Sequence, residues 1–94
     1  MRLQDEMLRA YVTDCFANGT KPNPVNGFIF WNVKQARLTQ ELDLEDLDKP
    51  VDATVMEKIN ICQAFLVETI IILKDKGYTE EDLLGLKKEC EELV

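Results

Sequence analysis

Apolar residues recur along most of this chain at steps of three and four, a spacing that predicts amphipathic helices. Between Leu3 and Ala17 the apolar positions are Leu3, Met7, Leu8, Tyr11, Val12, Cys15 and Phe16. On a 3.6-residue helix they gather on one side, with Arg2, Glu6, Arg9 and Thr13 on the other. Asn18-Gly19 then supplies two residue types that tolerate the left-handed geometry of a helix end. Two prolines and an Asn-Gly pair follow, so a loop is expected at about 18–27.

The run Phe28-Ile29-Phe30-Trp31-Asn32-Val33 is ambiguous by pattern. Its three aromatics suit a strand, but no second strand-like run exists to pair with it. It also leads into Lys34-Gln35-Ala36-Arg37-Leu38, which are good helix formers. The preferred reading is a helix that begins near Phe28 to Trp31 and ends in the low forties, with a strand at 28–33 as the other reading. A boundary is expected near Lys49, because a residue before proline resists helical geometry.

Asp52 suits the N-cap of the next helix, from Ala53 to about Lys76. Val55, Ile59, Cys62, Leu66, Thr69, Ile70 and Leu73 share one face of it, and Ile61, Phe65 and Ile72 widen that face. Val67 and Ile71 fall on the side marked as polar by Glu57, Asn60, Gln63, Lys74 and Asp75. The C-terminal half is therefore apolar nearly all round, as in a helix that is central or covered by a partner. Gly77 is placed to end it. Thr79 then reads as an N-cap with Asp82 at N3, and Tyr78 and Leu83 as a hydrophobic staple. The last helix runs to about Leu93 with a stripe of Leu83, Leu86, Cys90, Leu93 and Val94, and Gly85 leaves room for a neighbouring helix. The expected fold is a single mainly α domain over 1–94. It is a small three- to four-helix bundle built on a C-terminal helical hairpin at 52–94, with the first helix and the Trp31 segment packed across it.

Composition narrows the function. The chain has 94 residues, 46% hydrophobic and 31% charged, an ordinary globular balance for one domain. Its net charge is −7 and its basic residues are dispersed, which argues against direct nucleic-acid binding. Mimicry of nucleic acid by its carboxylates and a plain solubilising surface both fit that charge. The most apolar stretch, Ile59 to Leu73, is broken by Asn60, Gln63 and Glu68, whereas a membrane span needs about 20 apolar residues. Acids precede any apolar run at the N-terminus, unlike a signal peptide. A soluble, cytoplasmic protein is expected, and a phage or mobile-element origin is compatible with so small a chain.

There is no histidine and no serine, which removes the common nucleophile–base pairs and imidazole metal ligands. Cys15, Cys62 and Cys90 are odd in number and lack metal-site spacing, so they read as reduced core thiols. Asp43-x-x-Asp46 and Glu45-x-x-Asp48 have the spacing with which all-helical nucleotide pyrophosphohydrolases hold magnesium. The long helix offers no partner pair, only Glu57 and Glu68. The expectation is a non-enzymatic regulator or inhibitor that needs no cofactor, binds a protein partner and forms a homo-oligomer. Phe28, Phe30, Trp31, Val67 and Ile71 are its candidate interface residues. One alternative is a protein that binds or sequesters a small, nucleotide-like ligand in an inter-subunit pocket near Tyr11 and Trp31. The other is a magnesium-dependent nucleotide hydrolase using the Asp43–Asp48 acids.

Overall fold

A computed structural model describes residues 2–44 and 53–93, with side chains for 2–41 and 54–93. Four helices account for most of them: α1 (Leu3–Ala17), α2 (Pro24–Leu44), α3 (Ala53–Asp75) and α4 (Glu80–Leu93). The protein is a small, mainly α bundle, and no strand occurs among the described residues. The Phe28–Val33 run is helical.

The loop before α2 is shorter than its sequence predicts. Pro24 opens the helix instead of lying in a loop over 18–27. The Asn23 side chain caps that start by accepting the Asn26 backbone N–H at 2.9 Å. The Gly27 N–H donates to the Asn23 carbonyl at 2.9 Å, the first bond of the helical ladder. Proline suits the first helical position because its ring presets φ and that position needs no N–H donor. Asn23-Pro24 was thus a helix start written in the sequence, hidden among residues that also make turns.

Helices α1 and α3 end in the same way. Gly19 and Gly77 adopt φ of 69° and 99°, in the region where a side chain is strained. At α1 the Thr20 N–H donates to the Cys15 carbonyl and the Gly19 N–H to that of Phe16. At α3 the Tyr78 N–H donates to Leu73 and the Gly77 N–H to Lys74. These paired bonds satisfy carbonyls that a helix end would otherwise leave open. Helix α4 starts with the expected reciprocal box. The Thr79 N–H donates to Asp82 Oδ2 at 2.9 Å, and the Asp82 N–H to Thr79 Oγ1 at 3.2 Å. Those bonds hold the Asp82 carboxyl below its ordinary pKa. The expected Asp52 cap and the Lys49 boundary lie outside the described residues.

Tertiary packing runs chiefly through α2, which lies against α3, takes α4 on another side and meets α1. Helix α4 therefore packs on α2 rather than lying along α3 as a close hairpin, although the short turn at Gly77 joins α3 and α4 as expected. The core gathers Met7, Tyr11 and Cys15 of α1, Phe28, Trp31 and Leu38 of α2, and the predicted α3 face from Val55 to Leu73. All three cysteines are free and buried.

Three expectations of packing change. Leu8 and Phe16 are exposed, because α1 buries only the narrow stripe at four-residue steps. Ile72 is exposed too, since none of the described residues wraps that flank of α3. Gly85 faces open space, whereas Gly27 is the glycine that admits a close neighbour: a Cβ there would stand 3.4 Å from the Tyr11 hydroxyl. Among the described residues no helix is long and apolar enough to cross a membrane.

Candidate functional site

An aromatic cluster joins three helices at the centre of the molecule. Tyr11 of α1 stacks on Phe30 of α2 with ring centroids 5.0 Å apart and meets Trp31 edge-on at 5.6 Å. Trp31 in turn stacks on Phe65 of α3 at 4.5 Å. The Tyr11 hydroxyl donates to the Asn23 carbonyl at 3.2 Å, which ties the cluster to the cap of α2. Burial, and then neighbouring Cys15, raise the Tyr11 pKa. Of the aromatics proposed as an interface, Phe28 and Trp31 are buried in this chain and Phe30 is half-buried. Their energy is spent on the bundle itself.

Val67 and Ile71 are different. They are 57% and 60% exposed, and α1 does not cover them. With exposed Ala64 they form a seam at three- and four-residue steps along the outer side of α3. Exposed Asn60, Gln63, Glu68 and Lys74 border the seam.

A second feature had no counterpart in the sequence reading. A groove of about 430 Å³ opens between α1 and α2, and Leu93 of α4 adds to its lining. Its apolar lining is Cys15, Ile29, Phe30, Val33 and Leu93. Lys34 and Arg37 stand one helical turn apart on the α2 wall, and Asp14 stands on the α1 wall. Among the described residues the one ion pair is the exposed Lys74–Glu80 contact at 4.0 Å, so neither Lys34 nor Arg37 is neutralised by a carboxylate there. Three helices contribute to this groove, and no local pattern in any one of them announces it. A smaller cavity of about 180 Å³ lies between α1, α2 and Lys58 of α3, lined in part by Trp31. Tyr11 lines neither, because its ring faces the aromatic cluster.

No group of three potential metal ligands exists among the described residues. Asp43 lies in the last turn of α2; its side chain, and Glu45, Asp46 and Asp48, lie outside the described residues. Buried Cys62 has its thiol pKa pushed up to about 11 by desolvation, and burial raises that of Cys90 as well, which keeps both in the unreactive protonated form. No protein family, curated protein or solved structure matches the chain.

Proposed function

We propose that this is a non-enzymatic regulator or inhibitor that acts in the cytoplasm by binding another protein, and that it pairs with a second copy of itself through the outer face of α3. One observation carries the reading: Val67 and Ile71 lie side by side on a helix and leave more than half of their surface in water. A contiguous exposed apolar face with a polar border is the usual form of an interaction site. Antiparallel pairing about the midpoint between Val67 and Glu68 sets the small Ala64 of each copy against Ile71 of the other, so the seam is complementary to itself under two-fold symmetry.

The absence of histidine and serine from the sequence favours binding over acid–base or acyl-transfer catalysis.

The test is the oligomeric state, read by native mass spectrometry and light scattering. The wild-type chain is expected to be a dimer. A Val67→Glu/Ile71→Glu variant is expected to be a folded monomer, since both side chains already face solvent and their charges need not be buried. Added salt should tighten the wild-type dimer by screening two chains of net charge −7. A monomeric wild type, or a variant that stays dimeric, overturns the proposal.

A further inference from the structure

We infer that the groove between α1 and α2 binds a small organic anion, with an apolar or aromatic body and one carboxylate, sulfonate or phosphate group. Its volume of about 430 Å³ lies within the range of small-molecule sites. The apolar body lies against Ile29, Phe30, Val33 and Leu93.

The charge pattern specifies the headgroup. This chain has 18 acidic residues and 11 basic ones, so two adjacent cations with no acidic partner among the described residues are a local reversal of its field. Lys34 and Arg37 stand on the same wall, where an anion can take hydrogen bonds from both. Asp14 on the facing wall repels an anion and directs it toward α2. The site is separate from the Val67–Ile71 seam and does not depend on dimerisation.

The full-length chain can be titrated with 8-anilinonaphthalene-1-sulfonate and with its neutral analogue N-phenyl-1-naphthylamine, following probe fluorescence. The sulfonate is expected to fill one site per chain. Lys34→Gln/Arg37→Gln should weaken it about ten-fold while leaving the neutral probe unchanged, and Lys34→Arg/Arg37→Lys should restore it. Asp14→Asn should tighten the sulfonate. Circular dichroism and the melting temperature establish that each variant is folded. The inference is overturned if the sulfonate does not bind, or if the glutamine pair weakens both probes equally. It also falls if Val67→Gln/Ile71→Gln removes the sulfonate site, which would place the probe on the α3 face. If the glutamine pair does not fold, Asp14→Asn decides alone: tighter binding supports the groove, and unchanged binding overturns it.

Discussion

Trp31 of α2 and Phe65 of α3 stack with ring centroids 4.5 Å apart and planes inclined by only 11°. Trp31 is 2% exposed and is the chain's one tryptophan, so its fluorescence reports on the aromatic cluster that this contact anchors. The pair sits where the two longest helices pack, and Tyr11 and Phe30 extend it into α1.

Phe65→Leu should therefore destabilise the fold by about 1–2 kcal/mol, through loss of the ring pair and imperfect refilling of its space. Urea unfolding followed by tryptophan emission measures this. A midpoint equal to the wild type's would mean that the stack adds nothing to α2–α3 packing.

Two glycines should respond in opposite directions. Gly77→Ala forces a side chain into φ 99° and should cost about 1 kcal/mol or more. Gly85→Ala lies within α4 with nothing near the new Cβ, and should stabilise by about 0.5–1 kcal/mol. Thermal melts of the two variants measure both effects, and the signs matter more than the sizes.

Alkaline pH should weaken the fold through Cys62. Burial lifts its thiol from 9.0 to about 11, with Lys34 pulling slightly the other way. The unfolded chain releases that proton first. The stabilising contribution is whole below pH 9.0 and is lost as pH rises toward about 11. Tyr11 and Cys90, both raised chiefly by burial, add the same sign. Urea midpoints across this range should fall less steeply for Cys62→Ala than for the wild type. Parallel slopes would remove the thiol from the explanation.

The helices were legible because their signals are local. The α3 face from Val55 to Leu73 followed from spacing, and the Thr79–Asp82 box and the Gly77 cap from residue types at fixed offsets. Leu8 and Phe16 show the limit of this kind of reading. They are as apolar as Met7 and Tyr11, yet they remain in water because α1 presents only one stripe to its neighbours. Val67 and Ile71 were conspicuous as apolar residues on a polar side. Whether α1 would cover them depended on where α1 lies, and spacing along one helix carries no information about that.

Sequence alone determined that this chain is helical, where most of its helices stop, that its thiols are core residues, and that histidine and serine chemistry is closed to it. Those properties depend on composition, or on hydrogen bonds and side-chain periodicity spanning a few residues. Tertiary structure decided that α2 rather than a C-terminal hairpin is the hub, that Trp31 is core rather than anchor, and that Lys34 and Arg37 flank a groove with Cys15 and Leu93. Each of these outcomes depends on which surfaces meet across long separations in the chain. Helices with similar apolar stripes can be paired in several ways, and only the packing of whole side chains selects one.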